Sequence, residues 1–300
     1  MEQKLEHALK NRTDLQEIRI RTGAPFYMKT GQGTFYLDED WNYTSNVKKG
    51  LICPDGLIEK ILNHVCMDSV YAYQDEIKNG YLTMPGGHRM GMVGHTVLDE
   101  NGNIVTIKNI NCLNIRIAHE IKGVSDKVLP YLYENKRLKN TLIIAPPGCG
   151  KTTMLRDLIR NISNGNAFGN PMQTAIVDER GEIAGCFRGV AQNDIGKHTD
   201  ILDACPKKIG MMLLVRSMAP QVIALDELGL KEEIEVLDQI MNCGCKVVAT
   251  IHGEGEADLK RKKGLAYLLQ NKVFERYIVM GNKNGEISVE AILNEDLISC

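Results

Sequence analysis

The chain has 300 residues, 43% hydrophobic and 25% charged, enough apolar material for one large domain or two of ordinary size. A net charge of −2 gives no global reason to expect a nucleic-acid or anionic-membrane binder, which leaves only local basic patches for such a role. The nine cysteines are scattered singly apart from Cys243 and Cys245, so reduced thiols are expected rather than a disulfide framework or a paired zinc ligand set.

In chain order, the opening MEQKLEHALKNRTD is charged throughout and lacks the apolar stretch of a signal peptide. No later run approaches the roughly 18 apolar residues of a membrane span, so a soluble protein is expected, with any membrane role coming through partners. LQEIRIR predicts a strand, with Leu15, Ile18 and Ile20 set against Glu17, Arg19 and Arg21. GAPFYM and GTFYL predict two more strands. PDGLIEKILNHVCM predicts a helix with Leu57, Ile61, Leu62 and Val65 on its apolar face and Pro54-Asp55 as its opening signal. From Gly80 to Glu120 the pattern is a strand meander, with turns at Pro85-Gly86-Gly87 and Asn101-Gly102. Residues 1–120 therefore read as an α+β domain, and HEIKGVSDKV as a linker where the pattern turns helical again.

Residues 121–300 alternate strand and helix. NTLIIA, QTAIVD, QVIALD and CKVVAT are short apolar runs, separated by helical stretches such as KTTMLRDLIRNI, KIGMMLLVRSM and EEIEVLDQIMN. That order predicts an α/β domain whose parallel sheet is covered on both faces, with ligands at the strand carboxyl ends. The first run leads into Pro147-Gly148-Cys149-Gly150-Lys151-Thr152-Thr153 and then a helix. This is the context of a phosphate loop, although Ala145 stands where the motif has its first glycine. Gly148 and Gly150 occupy the positions nearest the phosphates, and a methyl group at Ala145 is tolerable if φ stays negative there. The expected roles are β- and γ-phosphate contact for Lys151, Mg²⁺ for the Thr152 hydroxyl and the α-phosphate for Thr153. In QVIALDELG the strand runs into Asp226, suited to hold magnesium through water, and Glu227, suited to polarise an attacking water. Two further strand ends carry polar groups: Asp178, Glu179 and Glu182 after one, Thr250 and His252 after another. Thr250 or His252 would sense the γ-phosphate, and Asp178 or Glu179 would support water and metal.

The order of phosphate loop, acidic box, QNDIG at Gln192–Gly196, RSMAPQVIALDE and a Thr-x-His box resembles the secretion-ATPase superfamily, which includes type II and type IV secretion motors and pilus-retraction motors. The N-terminal stretches LQEIRIRTGAPFYMKTGQG and GGHRMGM look like the PAS-like domain of those motors. The segment IVDERGEIAGCFRGVAQNDIGKHTDILDACPK narrows the resemblance to the branch that serves endospore formation. Besides Ala145, the chain departs from that pattern in Gln221, where an acidic residue is usual, and in Asp226-Glu227, where many of these motors have Gly-Glu. The resemblance implies a RecA-like ATPase domain behind a smaller N-terminal domain, binding ATP and Mg²⁺ between the subunits of a homo-hexamer. It implies a cytoplasmic, mother-cell engine docked to membrane-embedded channel or secretion proteins, and an arginine supplied in trans. By position the candidates are Arg116 and Arg89, with Arg216 and Arg188 behind them. Two other readings stay open on the residues alone. One is a nucleic-acid-binding ATPase, supported only by the basic run LKRKKG at 259–264; the other is a nucleotide-gated scaffold with negligible turnover.

Overall fold

The computed structural model describes residues 14–67, 69, 73–229, 231–255, 258, 263–283 and 286–300. The charged opening at 1–13 and Leu259–Lys262 of the basic run lie outside the described residues. The chain divides between His119 and Glu120 into two units, each with its own sheet.

In the first unit the alternating stretch forms β1 (Leu15–Arg21), followed by β2 (Tyr27–Thr30), β3 (Gly33–Leu37) and β4 (Tyr43–Thr44). After helices α1 (Leu57–Val65) and α2 (Gln74–Lys78) come β5 (Tyr81–Thr83), β6 (Arg89–Leu98) and β7 (Ile104–Arg116). The sheet order is β4-β3-β2-β1-β7-β6-β5, every neighbour antiparallel. Leu15, Ile18 and Ile20 are all buried, although a strict two-residue period cannot bring an odd and two even positions to one face. The β1–β2 register shifts between Leu15 and Glu17, and this bulge turns Leu15 back into the core. Helix α1 buries Ile58 and Leu62, while Leu57, Ile61 and Val65 pack half-buried beside them. The residue that opens it is Gly56 at φ +75°, with no side-chain cap, so Pro54-Asp55 marks a turn rather than a cap. Past Glu120 the expected return to helix yields turns and then a short 3₁₀ stretch, Leu129–Leu132, because Gly123 has φ +85° and Pro130 has no N–H to continue a helix.

The second unit opens with the short pair β8 (Tyr133–Glu134) and β9 (Arg137–Leu138). Its main sheet contains β10 (Thr141–Ala145), β11 (Thr174–Asp178), β12 (Thr199–Asp203), β13 (Val222–Leu225), β14 (Lys246–His252), β15 (Arg276–Lys283) and β16 (Glu286–Asn294). Helices α3 (Lys151–Asn164), α4 (Lys207–Met218), α5 (Lys231–Asn242) and α6 (Lys263–Gln270) connect them. The order β12-β11-β13-β14-β10-β15-β16 is parallel from β12 to β15, with β16 antiparallel at the edge. Sequence periodicity anticipated β10, β11, β13 and β14 but not β12 or the β15–β16 hairpin.

Alternate residues of the central strands feed two separate cores. Leu142, Ile144, Ala175, Val177, Ile223, Leu225, Val247 and Ala249 pack with residues of α4 and α5; Ile143, Ile176, Val222, Ala224 and Val248 pack with Met154, Leu155, Leu158 and Ile162 of α3. Burial on both faces is why these strands read as continuous apolar runs. Because β14 lies between β10 and β13, the carboxyl end of the strand bearing Thr250 and His252 is wedged between the glycine-rich loop after β10 and Asp226-Glu227.

Helix α3 is fastened by a buried carboxylate. Asp157 Oδ2 accepts from the Ser125 N–H at 2.9 Å and its hydroxyl at 2.7 Å, and Oδ1 accepts from Arg160 Nη2 at 2.7 Å. Burial pushes its acidity down, but these hydrogen bonds outweigh it and hold the carboxyl below its ordinary pKa. A depressed carboxyl contributes stability above its unfolded pKa, and that contribution is lost as pH falls through the folded one. Asp157→Asn is therefore expected to lower unfolding stability by about 2 kcal/mol at pH 7, on the scale of hydrogen bonds to a charged group. Urea unfolding should show the deficit narrowing in acid; a deficit unchanged down to pH 3 would count against the assignment.

Candidate functional site

The loop from Pro146 to Gly150 joins β10 to α3, and Gly150 is the residue that opens the helix. Gly148 and Gly150 have φ of +75° and +72°, where glycine alone is unstrained. A Cβ at Gly148 would meet no atom within 4 Å, so conformation rather than crowding requires glycine there. Ala145 ends β10 fully buried, and its φ is not positive. Pro147 and Gly148 face solvent, whereas Cys149 is 5% exposed and packs with the core beneath α3. Lys151 and Thr152 open the helix, where the unpaired N–H groups favour an anion.

Around this loop the strand ends form one connected set of hydrogen bonds. Thr152 Oγ1 donates to Asp226 Oδ2 at 2.7 Å, and the Thr250 hydroxyl donates to Asp226 Oδ1. Thr250 Oγ1 also accepts the Glu227 N–H at 2.8 Å, and its carbonyl accepts the Leu228 N–H at 2.8 Å. Lys151 Nζ lies 3.2 Å from His252 Nδ1, and His252 Nε2 lies 2.7 Å from Glu227 Oε1. With the ammonium donating to Nδ1, the imidazole carries its proton on Nε2 and donates it to the carboxylate. Arg180 Nη1 donates to Glu227 Oε2 at 2.7 Å. Burial raises the Glu227 pKa, but the His252 hydrogen bond and the charges of Arg180 and Lys151 outweigh it and leave the carboxyl below its usual value.

Asp178 and Glu179 sit beside this set in different roles. Asp178, 2% exposed, accepts the backbone N–H groups of Glu182, Ile183 and Ala184 at 2.9, 3.1 and 2.8 Å. Its carboxylate thus anchors the loop after β11; burial above all, helped by the Asp226 charge, raises its pKa even against those three donors. Arg156 of α3 fixes the same loop from the other side, donating to the carbonyls of Ile183 and Glu182 at 2.6 and 2.7 Å. Glu179 Oε2 accepts from Lys207 Nζ at 2.6 Å, and Lys207 also lies 3.7 Å from Glu233. A buried lysine at the first position of a helix is opposed by the helix dipole, and these two carboxylates offset it.

The predicted arginines are dispersed. Arg89 and Arg116 lie in the first unit, directly paired across β6 and β7, with Glu17 opposite Arg116 on β1. The Arg89 guanidinium carbon lies 3.6 Å from the centre of the Tyr81 ring. Arg216 is exposed in the last turn of α4, roughly 14 Å along the helix from Lys207 at a rise of about 1.5 Å per residue. It therefore stands toward the amino ends of the strands, away from the glycine-rich loop. Arg188 and Gly189, with φ +52° and +76°, form the tip of a tight turn closed by Phe187 and Val190. Arg180, Lys207 and Arg156 went unpredicted. Arg180 stands in the acidic box itself, and its position two residues past a strand end was the available signal.

The Thr152 hydroxyl and the Asp226 carboxylate supply hard oxygen donors side by side, which suits Mg²⁺ held by few protein groups plus phosphate and water. Among the described residues no three His, Cys, Asp or Glu side chains converge on a metal position. On the other side of the loop, Gly150, Thr153 and Met154 join Ile121, Val124, Met280 and Val289 around a cavity of about 500 Å³, largely apolar with Lys127 and Ser288 at its wall. Its size and lining suit the base and sugar of a nucleotide.

Residues 1–299 match the family model described as Sporulation stage III, protein AA. Over 283 residues the chain is 38% identical to stage III sporulation protein AA of Bacillus subtilis (strain 168), covering 94% of this chain and 88% of that protein. Among solved structures it is similar to the X-ray structure of the Legionella pneumophila ATPase DotB, with TM-score 0.61 and 15% identity over 99% of this chain and 80% of that one. It is similar also to the pilus retraction motor PilT with bound ADP, with TM-score 0.61 and 14% identity over 96% and 80%. At such identities the structural likeness establishes the fold, an α/β architecture whose sheets match. The sequence resemblance drawn from the acidic box, QNDIG and the Thr-x-His box is borne out.

Proposed function

The chain belongs to the sporulation stage III, protein AA family, and from that premise we propose that it is a magnesium-dependent ATPase motor. It hydrolyses ATP to ADP and phosphate and converts the difference between the two bound states into domain motion. The observation that carries this reading is the joining of Lys151, His252 and Glu227 to Asp226 and Thr152, through Thr250, into one hydrogen-bonded set at the mouth of a glycine-built loop. Lys151 holds the terminal phosphates, Thr152 and Asp226 hold Mg²⁺, and Glu227 polarises the attacking water. Bound Mg²⁺ supplies neutralisation of phosphate charge. Thr250 positions Asp226 and the Glu227 backbone together, while Asp178 and Glu179 keep the loop after β11 in place.

We read the second unit as RecA-like and the first as PAS-like, closing over the nucleotide of a neighbouring copy in a hexameric ring. The ring works in the mother-cell cytoplasm against a membrane-embedded channel during endospore formation. Among the described residues no helix is long and apolar enough to cross a membrane, so contact with that channel is assigned to partner proteins.

The test is direct binding and turnover. Purified protein with Mg²⁺ is expected to bind ADP and hydrolyse ATP at a rate indifferent to single-stranded nucleic acid. Lys151→Ala is expected to lose binding by at least about tenfold, the scale of a charged hydrogen-bond network. Marked stimulation by nucleic acid would move the assignment to a nucleic-acid-dependent ATPase; binding without turnover would move it to a nucleotide-gated scaffold.

A further inference from the structure

Arg180 has no part in the readings above, yet it touches the carboxylate on which turnover depends. We propose that Arg180 is a γ-phosphate-sensing residue in cis, which occupies Glu227 in the nucleotide-free chain and transfers to the terminal phosphate when a triphosphate binds. This rests on the nucleotide reading of the same site.

The backbone around Arg180 is fixed and its side chain is not. Three N–H groups on Asp178 and two carbonyls on Arg156 hold the segment that follows, and Gly181, at φ +65°, turns the chain immediately after Arg180. The side chain is 63% exposed and reaches Glu227 at its guanidinium. A long cation on a fixed stem, paired at one tip, exchanges partners at little structural cost.

The partner it holds explains why exchange matters. Glu227 has one oxygen on His252 and the other on Arg180, so each already carries a donor and fewer acceptor positions face an incoming water. Lys151, His252, Glu227 and Arg180 form one chain with a cation at each end. A phosphate group draws Lys151 at the near end. It also offers Arg180 more negative charge and a better match to the planar guanidinium than one carboxylate oxygen does. Transfer of Arg180 then frees an acceptor position on Glu227 Oε2 only when the γ-phosphate is present, and ADP leaves the Arg180–Glu227 pair in place. The arginine therefore links the presence of substrate to the availability of the base.

Titration calorimetry with Mg²⁺ tests this on the full chain, comparing ADP with a non-hydrolysable ATP analogue for wild type, Arg180→Ala and Arg180→Lys. Arg180→Ala is expected to leave ADP affinity within about twofold and to weaken the triphosphate analogue by about 10- to 100-fold. Arg180→Lys, which keeps the charge but not the fork, is expected to fall between. Equal losses for both nucleotides would assign Arg180 a structural role, and no loss for either would make it a surface ion pair; each result overturns the proposal. If the wild type binds neither nucleotide, the nucleotide reading itself falls, which is a distinguishable failure.

Discussion

Glu227→Gln is expected to lower kcat for ATP hydrolysis by about 10²- to 10⁴-fold, the usual worth of a positioned general base, while ADP affinity stays near that of the wild type. The backbone supplies the reason to single out this residue. Glu227 has φ +55°, a left-handed conformation that costs a non-glycine residue on the order of 1–3 kcal/mol, and it is held there by its N–H on Thr250 Oγ1 and the next N–H on the Thr250 carbonyl. The turn aims the carboxylate at His252, whose other ring nitrogen faces Lys151, instead of letting it run on into solvent. Glutamine preserves the shape and can still accept from His252, so the substitution removes basicity without opening a cavity. Steady-state turnover beside ADP binding reads the result. An unchanged kcat would reduce Glu227 to a tether for His252 and Arg180.

What the sequence made legible here was the part set by local chemistry. Gly148 and Gly150 are needed for their own φ values, Lys151 for its charge at a helix start, and the apolar runs for burial on both faces. All of these act over a few neighbouring positions. The geometry among strand ends depends on lateral order, which no local pattern encodes. Only the insertion of β14 between β10 and β13 sets His252 between Lys151 and Glu227. Asp178 and Glu227 look alike as acids at or one residue past the end of an apolar run. One turns inward to three backbone donors and the other outward to an imidazole, because the loops that follow bend differently. Arg180 is hidden in the sequence because a cation among the acids of Asp178-Glu179-Arg180-Gly181-Glu182 reads as their local counter-charge. β12 was missed because its aspartates, at 200 and 203, break the apolar run of an edge strand.

The largest effect is expected from the first unit. Arg116→Ala is expected to lower kcat by about 10³- to 10⁵-fold, the range of an arginine supplied in trans to a phosphoryl transfer, with nucleotide binding by the isolated chain preserved. Arg89 and Arg116 are directly opposed on β6 and β7, so their side chains share a face, an arrangement that like charges disfavour. Glu17 stands opposite Arg116 on the other side but accepts from Arg19, and Arg89 lies over the Tyr81 ring, which leaves exposed Arg116 as the better placed of the two for an incoming anion. Arg89→Ala is accordingly expected to have the smaller effect. Mixing two dead variants separates action in trans from action in cis. In a ring of Arg116→Ala and Glu227→Gln subunits, some junctions set an intact Glu227 against an intact Arg116 of the neighbour. Random equal mixing makes about one junction in four competent where contacts run head to tail. Recovery of up to about a quarter of wild-type turnover would establish that the arginine acts on the next subunit's nucleotide. A mixture as inactive as its parents would return Arg116 to its own chain, and Arg89 and Arg188 would then be next to examine.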